Sequence, residues 1–183
     1  MKLMIASDIH GSAFYCRRLL EAFRQEQANR LLLLGDILYH GPRNDLPRDY
    51  APKEVITLLN ALKDRIFCVR GNCDTEVDQM VLEFPILADY CILTAGDRLI
   101  YATHGHKYHL KSLPPLQPGD LLLHGHTHIP AWEPFGNGNL CLNPGSVSIP
   151  KAGSDHGYMI LTDDSICWKT LDGRIYHRED LRR

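Results

Sequence analysis

The amino-acid sequence predicts an α/β fold in which two β-sheets pack as a sandwich with helices outside. Two observations favour this class. In the first part of the chain, short apolar runs alternate with segments of helical periodicity, which is typical of β-α-β units. After Pro85 the pattern changes to paired strand-like runs separated by turn residues, which predicts hairpins. We therefore expect a strand-helix alternation first and a strand-rich half second.

Five apolar runs have the length of buried strands, and two segments between them predict helices. The runs cover residues 2–6, 31–34, 66–69, 99–102 and 121–124. The first helix is expected over residues 12–27, because Ser12 is a favourable N-cap and apolar residues follow at helical spacing. The second is expected over residues 52–63, where Pro52 suits a first helical turn.

The remaining segments predict a loop and three hairpins within one domain. Residues 39–51 contain Gly41, Pro42 and Pro47, which together interrupt any helix or strand. Hairpin turns are expected at residues 95–97, 136–138 and 163–164. The sequence has no internal repeat, low-complexity tract or linker, so we expect a single domain over residues 1–183.

Composition predicts a soluble, cytoplasmic protein. The 183 residues are 44% hydrophobic and 23% charged, and the net charge of −2 argues against stable nucleic-acid binding. The chain opens on a strand-like run instead of a leader, and no apolar stretch reaches the roughly 18 residues of a membrane span. The six cysteines form neither a C-x-x-C pair nor a secreted-type framework, so we expect reduced thiols.

Seven side chains of metal-ligand type lie in five short clusters, most of which directly follow an apolar run. They are Asp8, His10, Asp36, Asn72, His104, His126 and His128. In open α/β sheets, the carboxyl ends of the strands bring distant loops together. Glycines beside the clusters allow the sharp exits that such loops require. The arrangement predicts a site for two metal ions at that edge.

The order of these clusters resembles the calcineurin-like metallophosphoesterase superfamily. Its pattern of D-x-H, G-D, G-N-x-[DE], H and G-H-x-H occurs here in sequence and at similar intervals. The chain is most similar to the small bacterial phosphodiesterases of the YfcE type, through residues 1–11, 35–44 and 143–151. Any one motif arises often by chance, but all of them in order are specific. The resemblance covers nearly the whole chain and implies the same two-sheet fold.

The resemblance also implies a dinuclear centre that hydrolyses small phosphodiesters. The implied ligands are Asp8, His10, Asp36 and His128 for the first ion, and Asp36, Asn72, His104 and His126 for the second. Asp36 would bridge the ions, and a bridging hydroxide would attack phosphorus in line. Oxygen and imidazole ligands suit Mn²⁺, Zn²⁺, Fe²⁺ or Mg²⁺, of which the family favours Mn²⁺. Because histidine ligands must be neutral, we expect metal binding to weaken as pH falls through roughly 6.5.

Cys73 is the main departure from the wider superfamily, in which a histidine follows the motif asparagine and helps to protonate the leaving oxygen. A thiol donates a proton less readily than an imidazolium, so we expect preference for activated aryl diesters. The catalytic candidates are Asp36, Asn72, Cys73 and Asp74, with Asp74 orienting a ligand.

Four further residues are candidates for substrate binding. Arg43 and Asn44 follow a Gly-Pro turn after Asp36 and are placed to orient substrate, although a surface arginine without a role is the simpler interpretation. His40 and His106 neighbour the metal loops, where each either contacts phosphate or is only partly exposed.

Two alternatives to a phosphodiesterase stay open. A phosphomonoesterase or a dinucleoside polyphosphate hydrolase would use the same ligands. A non-catalytic binding module of the retromer-subunit type shares the fold but has a degraded metal site, and the retained Asn72, His126 and His128 argue against it. The ligands specify a small phosphate ester but not the rest of the substrate, and an exposed face of the hairpin half could pair subunits in a homo-oligomer.

Overall fold

The computed structural model describes residues 1–181, whose strands form two mixed β-sheets. In chain order the strands are β1 (Leu3–Ala6), β2 (Arg30–Leu33), β3 (Ile66–Cys68), β4 (Tyr90–Ala95), β5 (Arg98–Thr103), β6 (Leu121–Leu123), β7 (Pro130–Phe135), β8 (Asn139–Pro144), β9 (Gly157–Leu161), β10 (Ser165–Thr170) and β11 (Ile175–Asp180). The helices are α1 (Ala13–Gln25), α2 (Pro52–Asn60) and α3 (Glu76–Gln79), with a 3-10 turn at Lys63–Arg65. None of the described helices is long and apolar enough to cross a membrane.

Each sheet is built around three neighbouring parallel strands. The first sheet has the order β11-β10-β9-β1-β2-β3, in which β1, β2 and β3 are parallel. The second has the order β4-β5-β6-β8-β7, in which β5, β6 and β8 are parallel. The remaining neighbours pair antiparallel. Six parallel strands therefore offer their carboxyl ends to loops that can carry ligands.

The alternation of side chains along the first sheet fills two separate cores. Ile5 on β1 packs with Ile100 between the two sheets, whereas its neighbour Met4 packs with Phe23 beneath the helices. All four side chains are essentially inaccessible to solvent. Complete burial of an apolar side chain of this size is worth about 1.5–3 kcal/mol, so the central strands anchor both layers.

The outer face of the second sheet is covered by a loop. Tyr101, Leu122 and Cys141 point outward from this sheet, and Tyr108 and Leu116 of the segment between β5 and β6 pack against them. Within residues 1–181 every α-helix ends before residue 80, so the helices flank the first sheet only. The predicted two-sheet α/β fold is confirmed, with helices on one side of it.

Most predicted elements are confirmed. Ser12 caps α1 by accepting a 3.3 Å hydrogen bond from the Tyr15 N–H, as its position before the helix predicts. The second helix ends at Asn60, three residues before the predicted end, and a separate 3-10 turn follows. The three predicted hairpins are β4-β5, β7-β8 and β9-β10. Strand β11 was not predicted, because it lies at a sheet edge and its sequence is largely polar.

Candidate metal centre

The predicted ligands converge at the carboxyl ends of parallel strands from both sheets. Loops after β1, β2 and β3 carry Asp8 with His10, Asp36, and Asn72 respectively. Loops after β5 and β6 carry His104 and the pair at residues 126 and 128. The ligand atoms of the aspartates and histidines among them form groups in which all lie within 4.8 Å of one another. The two sheets thus contribute to one site.

The first group consists of Asp8, His10 and His128, and all three side chains are buried. Asp8 Oδ2 accepts hydrogen bonds from Ser7 Oγ at 2.6 Å and from the His126 N–H at 3.1 Å. Asp8 Oδ1 has no hydrogen bond among the described residues, and it lies 3.5 Å from His10 Nε2 and 3.3 Å from His128 Nε2. The two Nε2 atoms are 3.3 Å apart. One carboxylate oxygen is therefore fixed while the other faces two ring nitrogens.

The second group consists of Asp36, His104 and His126. Asp36 Oδ1 accepts a 2.8 Å hydrogen bond from the Cys73 N–H. Asp36 Oδ2 lies 3.5 Å from His104 Nε2 and 3.7 Å from His10 Nε2 of the first group. His126 Nδ1 lies 3.2 Å from His104 Nε2. A single oxygen of Asp36 thus faces both groups.

Asn72 adds an amide oxygen to the second group. Its Oδ1 lies 3.1 Å from His104 Nε2, and its Nδ2 donates to Cys73 Sγ at 3.3 Å. The preceding Gly71 leaves room for this packing, because a Cβ there would lie 2.1 Å from Asp36 Oδ1. The glycine of the G-N motif is therefore required by the close approach of the two loops.

Three of the imidazole rings are oriented by main-chain carbonyl groups. The contacts are His10 Nδ1 to Tyr39 O at 2.7 Å, His104 Nδ1 to Leu34 O at 2.6 Å, and His128 Nδ1 to Ile149 O at 2.7 Å. In each neutral ring, the Nδ1–H donates to the carbonyl oxygen, so Nε2 carries a lone pair. When these rings are neutral, lone pairs of ring nitrogens, carboxylates and an amide oxygen converge with no donor hydrogen between them. Such a donor set fits divalent cations.

The pKa values of these groups have a common electrostatic cause. Burial alone would lower the pKa of His104, but the Asp36 and Asp8 carboxylates outweigh burial and raise it to about 9. Burial likewise opposes ionisation of Asp8, yet the neighbouring imidazoles hold its pKa well below the usual value. For His126, burial and the charge of His104 lower the pKa to about 4. Metal-free protein therefore places protons where cations would bind.

Five of the seven predicted ligands have a left-handed backbone. They are Asp8, His10, Asp36, His126 and His128, with φ of 60°, 48°, 54°, 66° and 61°. Residues other than glycine rarely adopt this conformation, and each instance costs of order 1–3 kcal/mol. Such strain persists only where the surroundings impose it, which here are the buried hydrogen bonds around the carboxylates.

Comparison with known protein families decides the family of this site. Residues 1–165 match the calcineurin-like phosphoesterase superfamily domain. The chain belongs to this superfamily. As a calcineurin-like phosphoesterase it is a phosphoester hydrolase, and the predicted resemblance is confirmed.

Relatives and solved structures agree with this family. Over 164 residues the chain is 49% identical to phosphodiesterase YfcE of Escherichia coli K12, covering 90% of this chain and 89% of that protein. It is 30% identical over 169 residues to the probable metallophosphoesterase YsnB of Bacillus subtilis, covering 88% and 84%. The solved structure of Escherichia coli YfcE has a TM-score of 0.94 with 45% identity and covers both chains completely. Vacuolar protein sorting 29 from Cryptosporidium parvum, at 20% identity, a TM-score of 0.57 and coverage of 98% and 96%, shares the fold alone.

Asp74 connects two loops of the phosphoesterase site. Its carboxylate accepts hydrogen bonds from the N–H groups of Asp36 at 2.8 Å, Ile37 at 2.9 Å and Gly71 at 2.7 Å. Burial raises the pKa of Asp74 although these N–H groups oppose the shift. The geometry suits the orienting role that we predicted for Asp74.

Cys73 lies beside the candidate ligands. The ligand atoms of His10, Asp36 and Cys73 all lie within 4.8 Å of one another, so these three residues form a further group that could hold a metal ion. Burial and the negative charge of Asp36 raise the pKa of its thiol. At neutral pH the sulfur therefore keeps its proton. A protonated thiol of raised pKa is a weak proton donor, and the preference for activated aryl diesters stays a prediction.

Of the predicted substrate-binding residues, three line cavities that open beside the ligands. Arg43 and Asn44 line a cavity of about 360 Å³ together with Asp36 and Cys73. His106 lines a second cavity, of about 520 Å³. His40 lines neither. Its buried Nδ1 has no hydrogen bond among residues 1–181 and its ring packs edge-on against tyrosines, so its contact with phosphate stays a prediction.

Several supporting residues were missed or underrated at the level of sequence. Ser146 and Ser148 donate from Oγ to the Asp8 carbonyl oxygen at 2.9 Å and 3.0 Å. Lys151 lines the cavity of Arg43, although it lies more than a hundred residues away in sequence. The available signal was the family resemblance of residues 143–151. The serines in this stretch are not of metal-ligand type, so the motifs did not single them out.

Proposed function

We propose that this chain is a metal-dependent phosphodiesterase that hydrolyses small phosphodiesters at a centre of two divalent cations. The observation that carries the proposal is the position of Asp36 Oδ2, 3.7 Å from His10 Nε2 and 3.5 Å from His104 Nε2. A carboxylate oxygen between two sets of lone pairs suits two adjacent cations. Identity of 49% to a phosphodiesterase supports the diester as the substrate class.

The residues that would hold the cations are those in the two groups around Asp36. The first site would use Asp8, His10, Asp36 and His128, and the second would use Asp36, Asn72, His104 and His126. Mn²⁺ is our first choice, with Zn²⁺, Fe²⁺ and Mg²⁺ as alternatives, because the donors are oxygen and imidazole. Two such cations would supply Lewis-acid activation of phosphate oxygens and of the attacking water.

The chain's own side chains would bind and orient the phosphate. Arg43 and Lys151 place two positive charges on the cavity beside Asp36, and Asn44 adds an amide. Charged donors of this kind bind phosphate oxygens strongly. Cys73 on the same wall would hold its proton on Sγ and release it reluctantly, which favours diesters whose leaving group needs no proton.

The test compares wild-type protein with Asp36→Asn. Both are assayed on bis(p-nitrophenyl) phosphate and p-nitrophenyl phosphate with Mn²⁺, Mg²⁺, Zn²⁺ or a chelator, and bound metal is measured by mass spectrometry. We expect Mn²⁺-dependent hydrolysis of the diester, two cations per chain, and a loss of roughly 100-fold or more in Asp36→Asn. Asp97→Asn, at an exposed hairpin turn, is the matched control and should retain full activity.

The same assay separates the alternatives. Faster hydrolysis of the monoester than of the diester would favour a phosphomonoesterase, and cleavage of a dinucleoside polyphosphate would favour that hydrolase. No metal-stimulated hydrolysis of any ester, with no bound cation, would restore the binding-module interpretation. Full diesterase activity in Asp36→Asn would contradict the shared-carboxylate centre.

A further inference from the structure

Two cavities meet at the centre and are separated by His126 and Thr127, which line both of them. The larger has a volume of about 520 Å³ and the smaller about 360 Å³. Because His126 belongs to the second ligand group, a phosphate bound there has an opening on either side. The two substituents of a diester would therefore point into different surroundings.

The walls of the two cavities differ in chemistry. The smaller cavity carries Arg43 and Lys151, whose side chains make no ion pair among residues 1–181. The larger cavity presents Leu110, Ile129 and Ala131, and its wall is mainly apolar although Lys111 and Glu133 also line it. Leu110 is 39% and Ile129 is 41% exposed, so these apolar groups face solvent unless something covers them. Apolar surface next to a reactive centre suits burial by part of the substrate.

The position of Cys73 decides which substituent enters which cavity. Cys73 lines the smaller, polar cavity, and in our proposed function this weak acid lies on the side of the leaving oxygen. The leaving group would then depart through the polar cavity. The substituent that stays on phosphorus is left on the opposite side of His126 and Thr127, at the apolar cavity.

We propose that the larger cavity binds the substituent retained on phosphorus and selects an apolar, ring-sized group. This inference rests on the proposed phosphodiesterase function and deepens it. A methyl group would fill little of the volume and leave Leu110 and Ile129 in water, whereas a ring would cover them. The preferred substrate is thus a diester with an apolar ring on the retained oxygen and, on the other, an activated leaving group that departs through the polar cavity.

The test uses two diesters with the same leaving group and different retained groups, bis(p-nitrophenyl) phosphate and methyl p-nitrophenyl phosphate. Ala131→Phe places a ring in the cavity, and Ile175→Phe places one on an exposed strand position, 55% accessible, as the matched control. The ratio of kcat/KM for the aryl ester to that for the methyl ester is compared between variants, so intrinsic reactivity cancels. We expect the ratio to fall about tenfold in Ala131→Phe and to stay constant in Ile175→Phe.

A second variant and a binding measurement keep the outcome decisive. Leu110→Asp makes the wall polar within a loop, so it should lower the ratio even where Ala131→Phe disturbs its strand. Calorimetry of phenyl phosphate and methyl phosphate with the Mn²⁺-loaded protein should show tighter binding of the phenyl ester. Hydrolysis with an unchanged ratio in both variants would overturn the cavity assignment while leaving the phosphodiesterase intact. Preferential binding of phenyl phosphate without hydrolysis of any diester would overturn the phosphodiesterase function and leave the cavity assignment intact. Equal binding of the two monoesters together with no hydrolysis would overturn both proposals.

Discussion

Each carboxylate of the centre has one oxygen held by hydrogen bonds and one that faces ring nitrogens. Asp8 Oδ2 and Asp36 Oδ1 accept hydrogen bonds from neighbouring loops, whereas Asp8 Oδ1 and Asp36 Oδ2 point toward imidazoles. Fixing one oxygen sets the direction of the other, so little reorganisation is needed when a cation arrives. Preorganisation of this kind strengthens metal binding without any additional ligand.

Metal affinity should depend on pH over a higher range than free histidine would indicate. The pKa of His104 is about 9 in the metal-free protein, so a cation has to displace a proton at neutral pH. We expect Mn²⁺ affinity to rise from pH 7 to pH 9, by up to about tenfold per pH unit for each proton displaced. Calorimetric titration in buffers of different ionisation enthalpy measures both the affinity and the proton release.

The pH range in which Mn²⁺ affinity changes thus lies above the value of roughly 6.5 that we predicted from the pKa of free imidazole. In the metal-free protein the same raised pKa gives stability below pH 6.5 that is lost as pH rises through about 9, opposite to the trend in affinity. His177→Asn, on the edge strand β11, should leave proton release unchanged. Constant Mn²⁺ affinity between pH 7 and pH 9 would contradict the assignment.

Replacement of Cys73 by histidine should improve hydrolysis of diesters with basic leaving groups. An imidazolium donates a proton more readily than the thiol, whose pKa is raised by burial and by Asp36. General acid catalysis is commonly worth about 10²–10⁴-fold, so we expect at least a tenfold gain on alkyl diesters and a smaller gain on aryl diesters. Cys73→Ser, which supplies no better acid, is the control, and no gain at unchanged metal content would refute the explanation.

At the scale of elements, Asp74 fixes the loop after β2 to the loop after β3. Three main-chain N–H groups depend on its carboxylate, and Asp74 itself is 1% exposed. Asp74→Asn replaces one acceptor oxygen by a donor, so at least one buried N–H loses its partner. We expect a loss of about 1–3 kcal/mol in the free energy of unfolding and fewer than two cations per chain.

Urea denaturation and metal analysis measure the two effects. Asp64→Asn, at an exposed position of the 3-10 turn, serves as the control and should change neither. Unaltered stability together with full metal content in Asp74→Asn would show that the two loops hold their positions without this carboxylate.

Elements and candidate ligands could be predicted because they are local properties of the sequence. Apolar runs predicted β1, β2 and β3, and the motifs predicted which seven side chains of ligand type converge. The orientation of the rings could not be predicted, because it depends on carbonyl groups such as Leu34 O and Ile149 O in distant loops. The same reason hid Lys151, which reaches the cavity of Arg43 only through the tertiary fold.

At the scale of the whole molecule, the site lies where the two sheets meet. Several predictions concern the molecule as a whole. We continue to predict a single domain over residues 1–183, a cytoplasmic location, no stable nucleic-acid binding and a homo-oligomer. A network of charged and polar side chains joins the first sheet to helix α1. Glu26, after α1, contacts Lys2 beside β1, Tyr158 on β9 and Lys169 on β10.

Glu26→Gln should destabilise the protein at neutral pH more than in acid. Burial opposes ionisation of Glu26, but Lys169, Lys2 and Tyr158 outweigh it and lower the pKa. A lowered pKa contributes stability above the unfolded value of 4.5, and this stability is lost as pH falls through the folded value. We expect a difference from wild type of about 1–2 kcal/mol at pH 7 that shrinks below pH 4.

Urea denaturation at several pH values provides the measurement. Glu21→Gln, at an exposed position of α1, removes a similar charge without these partners and should show no such pH dependence. An equal difference from wild type at pH 7 and pH 3 would mean that the network contributes no charge-dependent stability.

The location of Asp8 has a consequence for how the site assembles. Strand β1 pairs with β9, and the Asp8 carbonyl is held by Ser146 and Ser148. The loop of Asp8 thus takes its shape from serines that lie 138 and 140 positions later in the chain. The first ligand group therefore cannot assemble locally, and a fragment that stops at residue 140 should leave the Asp8 loop without these two hydrogen bonds.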